Sequence, residues 1–204
     1  MEVLFEKLNP AEVYFTLIQT LIPRPVAWVL SENIDGRFNL APFSYFIPVS
    51  SDPPLVILSL GKKPGGALKD TCVNISARQD FVIHIASRSQ MEALNASSET
   101  LPSEVSEVEM LGLKTIPFGA FRLPRVADCP IAFACRLYEI REIGNAPQAL
   151  IFGEILSVYM DDGICEEGEK GRVRVAASRL DPLVRLGADD YAGLGEIISL
   201  ARPK

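Results

Sequence analysis

PRPVAWVLSENIDGRFNLAPFSYFIPVSSDPPLVILSL, residues 23–60, reads as short extended runs divided by turn residues. Val26, Trp28 and Leu30 alternate with Ala27, Val29 and Ser31, the period of two that sends successive side chains to opposite faces of a strand. Asn33, Ile34, Asp35 and Gly36 then supply a turn, so this strand leads into a hairpin. Residues 37–41, 44–50 and 55–60 are further short strands, separated by Pro42, Pro48 and the corner of Asp52, Pro53 and Pro54. The spacing predicts compact antiparallel β structure.

Upstream, Asn9 offers a helix cap, Pro10 suits the first helical position and Glu12 completes a capping box, so a helix is expected through about Thr20, ended by Pro23 and Pro25. Downstream, a Gly- and Lys-rich loop at 61–66 precedes a helix over about 67–77 that aligns Leu68, Cys72 and Ile75, and residues 81–86 follow as a strand. Ser89 and Glu92 form a second capping-box match, predicting a helix over about 90–96, with another short helix over 104–110. The Ser- and Glu-rich stretch 96–109 is expected to be a surface insertion. Two long extended runs, 131–143 and 149–160, are joined by a turn over 144–147 and ended by Asp161, Asp162 and Gly163. They read as a long hairpin that closes a barrel. Many short strands with few helices favour a closed or half-closed β-barrel over a doubly wound sheet.

At 204 residues the chain is the size of one domain, and residues 1–204 are read as a single one. With 48% hydrophobic and 23% charged residues, disordered, collagen-like and coiled-coil classes are excluded. The net charge of −6 opposes the basic footprint of nucleic-acid binding. No apolar run approaches the roughly 18 residues of a membrane span and no basic leader opens the chain, so the expectation is a cytoplasmic protein without a membrane partner. Cys72, Cys129, Cys135 and Cys165 show no metal-like or redox spacing and are read as buried thiols or spectators. Nucleotide-binding glycine motifs, a GxSxG elbow and paired metal ligands are absent. The single histidine, His84, lies in the apolar run FVIHIA and is read as structural, so no metal site is expected and hydrolase chemistry is disfavoured.

What remains is a run of small polar residues among the strands and turns of 23–74, including Arg24, Asn39, Ser44, Ser59, Lys62, Lys69, Thr71 and Asn74. A nucleotide-like anion needs a cation with hydroxyl and backbone N–H donors. Arg24, Lys69, Ser59 and Thr71 could supply these near a helix N-terminus. Loops rich in Pro and Gly also leave backbone groups for the edge of a flat polar ring. The alternative reading is that these are ordinary turn residues.

Four ordered strings, PRPVAWV at 23–29, NLAPFSYF at 39–46, SSDPPLV at 50–56 and KDTCVNI at 69–75, with the tail LDPLVRLGADDYAGLGEIISLARP at 180–203, resemble the flavin reductase-like, FMN-binding split-barrel family, which includes flavoredoxin. The resemblance implies a mainly β fold, a six-stranded antiparallel Greek-key split barrel with short peripheral helices. It also implies a homodimer with FMN held noncovalently close to the interface. The C-terminal extension, about 178–204, would pack on the barrel or on the partner subunit. Carried over position by position, Arg24 sits near the cofactor. Ala41, Pro42, Phe43, Ser44, Tyr45 and Phe46 would face the flavin edge. Ser59, Gly61, Lys69, Asp70, Thr71 and Asn74 match the phosphate and ribityl region, and Arg185 and Tyr191 would close over the cofactor. Trp28 reads as core, and Asp70 equally as a first-turn carboxylate or a ligand.

The activity implied is hydride transfer from NADH or NADPH to flavin N5, with electrons passed onward to an acceptor or a redox partner protein. The flavin itself carries the chemistry, so no catalytic side chain is required. FAD is the alternative flavin. Other readings are a flavoredoxin-like electron carrier that does not oxidise nicotinamide, a barrel of the pyridoxamine-phosphate oxidase type, and a cofactor-free module that keeps only the fold.

Overall fold

The computed structural model describes residues 1–145, 148–201 and 203. In chain order the elements are α1 (Pro10–Thr20), β1 (Arg24–Pro25), β2 (Ala27–Glu32), β3 (Phe38–Phe43), β4 (Phe46–Ser51), β5 (Pro54–Leu60), α2 (Asp70–Arg78), β6 (Asp80–Ile85), α3 (Met91–Ala96), α4 (Glu107–Met110), β7 (Thr115–Phe118) and β8 (Phe121–Val126). They continue with β9 (Ile131–Ile143), β10 (Gln148–Met160), β11 (Cys165–Glu167), β12 (Val173–Val175), α5 (Ala177–Leu180), β13 (Val184–Arg185) and β14 (Tyr191–Ala192). Helix α1 begins as its sequence requires. The Asn9 side chain accepts the N–H groups of Ala11 and Glu12, and the Glu12 carboxylate accepts that of Asn9 at 2.8 Å.

The main sheet is antiparallel and runs β3-β2-β6-β9-β10-β5-β4. It has seven strands where the resemblance implies six, because the hairpin β4–β5 contributes an extra edge strand held by β5 alone. Hairpins β2–β3 and β4–β5 occupy the two ends of the sheet, while β6, β9 and β10 fill the middle, an order that requires Greek-key crossovers. The two outermost strands, β3 and β4, are nevertheless consecutive in the chain, separated only by Ser44 and Tyr45. Such a short link spans at most about 10 Å, so the sheet must curl until its edges face each other. The result is a barrel closed by the chain itself and interrupted at one seam.

Strand β2 is buried on both faces, and its alternation divides the core. Ala27 and Val29 join Phe43, Leu58, Phe81, Ile83 and Ile151, with Cys72 and Ile75 from α2. Trp28 and Leu30 face a second cluster containing Leu94, Val108, Phe118, Leu123 and Val126. The expected surface insertion over 96–109 holds for 98–105, exposed apart from the half-buried Leu101, but not for Ser97, Ser106, Glu107 and Val108, which are buried. Val108 and the β7–β8 hairpin cover the outer face of β2, and Ser97 accepts the Trp28 indole N–H at 2.8 Å. The second capping box is also displaced: Ser87 and Gln90 form it, not Ser89 and Glu92. The expected turn over 144–147 falls partly on residues 146 and 147, outside the described residues.

In the tail, β13 pairs with β1 and β14 with β13, which seats residues 184–192 against the chain that enters the barrel. Beyond it Ile197, Ile198 and Leu200 are exposed. Among the described residues no helix is long and apolar enough to cross a membrane.

Candidate functional site

The seam gathers the predicted residues. Pro42 and Phe43, at the end of β3, are common to three adjoining lobes of one cleft. The largest, about 400 Å³, is lined by Ser44, Tyr45, Ser59, Gly61, Lys62, Lys69, Gln148 and Tyr14. Its size falls within the range of roughly 300–1,000 Å³ typical of ligand sites. A lobe of about 110 Å³ lies toward the start of α2, between Ala41, Lys69, Asp70, Thr71 and Glu107. A third, of about 180 Å³, lies between α1 and the tail, where Arg24, Ser44, Arg185 and Tyr191 meet.

Lys69, Asp70 and Thr71, at the start of helix α2, line this cleft. Lys69 occupies the cap position and makes no side-chain cap, although the backbone N–H groups of Cys72 and Val73 return to its carbonyl. A bare helix N-terminus carries partial positive charge and unspent donors. The Lys69 ammonium adds a full charge, 5.9 Å from the centroid of the Phe43 ring. Among the described residues neither Lys62 nor Lys69 makes an ion pair, whereas Lys63 is engaged by Asp70 at 2.7 Å. Asp70 is therefore a first-turn carboxylate tied to a lysine.

Thr71 is buried, and its hydroxyl accepts the Asn39 amide at 2.9 Å, which leaves its own O–H free to donate. Asn74 and Phe46 are the two predicted residues that line none of these lobes. The Asn74 amide donates to Ser31 at 3.1 Å and to Asn33 at 2.6 Å, in a buried network that anchors α2 to the β2–β3 hairpin. Arg24 is also largely spent: it donates to the carbonyls of Ile18 and Leu21 at the end of α1, to Leu186 in the tail, and at 3.3 Å to the Ser44 hydroxyl. It clamps three segments and orients Ser44 instead of offering an open cation. Phe46 is buried and borders a separate apolar hollow with Tyr45 and Ser59.

Sequence reasoning missed Tyr14, Lys63, Gln148, Glu107 and the segment 97–101, all of which line the cleft. Glu107 accepts the Leu40 N–H at 2.9 Å, and burial raises its carboxyl above the usual range. Burial likewise raises the thiols of Cys72, Cys129 and Cys135, so none is poised as a thiolate nucleophile. The cleft thus offers donors, cations and backbone groups around an aromatic seam, and its chemistry must come from a bound molecule.

The sequence model described as flavin reductase-like domain matches residues 19–179. An uncharacterized protein of Halalkalibacterium halodurans is 34% identical over 206 residues, covering 97% of this chain and 96% of that protein. Two crystal structures superpose closely. Nitrilotriacetate monooxygenase component B from Bacillus cereus has a TM-score of 0.89 at 32% identity and 98% coverage of both chains. The 2-nitrobenzoate 2-nitroreductase of Pseudomonas fluorescens has a TM-score of 0.86 at 30% identity, covering 100% of this chain and 96% of the other.

Proposed function

The chain belongs to the flavin reductase-like domain family, and from that premise we propose that it is an FMN-binding oxidoreductase that accepts electrons from NADH or NADPH. The observation that carries the reading is the uncapped start of α2, opening with Lys69 onto a cleft of flavin size. The residues present fit the group. Lys69, the first N–H groups of α2 and the Thr71 hydroxyl would hold the phosphate; residues 41–45 with Ser59 and Gly61 would hold the ribityl chain and ring. FAD, which carries an additional nucleotide, would have to extend beyond the lobes described.

Bound FMN supplies a two-electron centre, so the protein has no need of a general acid or base. Its own residues bind and orient. Arg24 fixes Ser44 at the seam, the network through Asn39 and Asn74 fixes α2, and Tyr14 and Tyr45 line the cleft. The names of the Bacillus cereus and Pseudomonas fluorescens proteins, both oxidoreductases or parts of one, support the same class.

The test is direct. Purified protein mixed with FMN and desalted should retain the yellow oxidised-flavin spectrum and should oxidise NADH or NADPH above the free-flavin background. The Lys69→Ala variant is expected to weaken FMN binding about tenfold to a hundredfold, the scale of one charge-assisted contact, while Lys114→Ala leaves it within about twofold. Equal affinities would remove Lys69 from the site. Retention of FMN without nicotinamide oxidation would make the protein an electron carrier served by a redox partner.

A further inference from the structure

Beside the cleft that the flavin-dependent reading assigns to the cofactor, we propose that the lobe of about 180 Å³ between α1 and the β13–β14 hairpin is a binding site for an aromatic carboxylate. The lobe shares Tyr14, Pro42, Phe43 and Ser44 with the main cleft and is below the roughly 300 Å³ at which ligand pockets begin. It suits one substituted ring and not a flavin.

Its charge identifies the ligand. Arg24 and Arg185 are direct cross-strand partners, so two guanidinium groups project from the same side of the small β1–β13 ladder. Like charges set opposite each other in this way are destabilising unless something compensates them. Arg24 is compensated by the carbonyls it clamps. Arg185 is compensated less: it has one carbonyl partner, Ala188, and a solvent-exposed ion pair with Asp189 at 3.8 Å, while among the described residues no carboxylate lines the lobe. A cationic pocket in a protein of net charge −6 is a site that a small anion completes.

Arg185 is held ready for such an anion. One guanidinium N–H donates to the Ala188 carbonyl at 2.6 Å, and the guanidinium lies 4.3 Å from the centroid of the Tyr191 ring, whose hydroxyl donates to Asn95 at 3.2 Å. Ala188 adopts φ +48°, a conformation costly for a residue with a side chain, and its carbonyl is the one that receives Arg185. The remaining N–H fork of Arg185 matches a carboxylate bidentately. Tyr14, Phe43 and Tyr191 provide the aromatic walls that select a ring over an aliphatic chain.

Calorimetric titration of benzoate, with neutral benzamide as the control of equal shape, reads this lobe whether or not flavin is bound. Benzoate should bind the wild type with saturable heat and benzamide at least tenfold more weakly. Arg185→Gln should weaken benzoate about tenfold or more, and Arg185→Lys should recover part of the loss. A thermal melt matching the wild type establishes that each variant is folded. The proposal is overturned if benzoate gives no saturable heat, if benzoate and benzamide bind alike, if Arg185→Gln leaves benzoate affinity unchanged, or if that variant loses FMN instead, which would make Arg185 a cofactor ligand. A wild type that binds benzoate but no FMN would sink the flavin reading and leave the anion site standing.

Discussion

His84 stands fully buried between two backbone groups: its Nδ1 lies 3.0 Å from the Trp28 carbonyl, and its Nε2 accepts the Val126 N–H at 3.0 Å. The two bonds require the neutral ring with its proton on Nδ1, because a protonated Nε2 has no lone pair to accept with. The ring therefore ties β2, β6 and β8 together, which is the structural role that an apolar strand context implies. Burial pushes its pKa down from 6.5 to about 4. The unfolded chain takes up a proton below pH 6.5 while the native ring resists until about pH 4, so stability is lost as pH falls through that window. By pH 5, still above most carboxylate titrations, the loss should reach about 2 kcal/mol. Urea denaturation at pH 7 and pH 5 measures it, and His84→Gln should remove most of the difference. A variant with the wild-type pH dependence would assign the effect to other groups.

Hairpin β9–β10 spans the barrel from end to end, and its register shifts beside Gly153. A side chain there would have its Cβ 2.5 Å from Cζ of Phe81, a fully buried ring of the barrel interior. Gly153→Ala is thus expected to lower stability by about 1–3 kcal/mol, the scale of an overpacked core, with the β signal retained in circular dichroism. Pairing it with Phe81→Leu should cost less than the sum of the two changes, and strict additivity would separate the residues. Elements of this kind were legible where their signal is local. Asn9, Pro10 and Glu12 specify the start of α1 within a few residues, and the long apolar runs of β9 and β10 specify those strands. The β7–β8 hairpin was not legible, since Pro117, Gly119 and Pro124 mark 115–126 as loop. Only contact of Phe118, Leu123 and Val126 with the core makes it sheet. The site divides in the same way. Residues 41–46 and 69–71 are contiguous strings, whereas Tyr14, Glu107 and Gln148 reach the cleft only through the fold, and no spacing in the chain relates them.

On the scale of the whole molecule, one face is too apolar for a surface left in water. Leu21, Ile22 and Ile47 are 60%, 47% and 55% exposed around a hollow of about 510 Å³ that also takes in Pro23, Phe46 and Ile57. Tyr14, Phe15 and Val49 are further large apolar side chains left exposed. Contiguous patches of this sort mark interaction surfaces. A second copy is the occupant that we propose, because a twofold contact would cover the patch on both chains at once. Light scattering should then give twice the 22.3 kDa chain mass at micromolar concentration. Ile47→Asp would set two carboxylates into one interface and should yield monomer. The hollow shares Ser44, Tyr45 and Ser59 with the cleft. Dissociation would expose that wall to water, so the same variant should also bind FMN more weakly. A wild-type monomer would remove the dimer from the account, and an Ile47→Asp monomer with undiminished FMN affinity would show that each chain completes its flavin site alone.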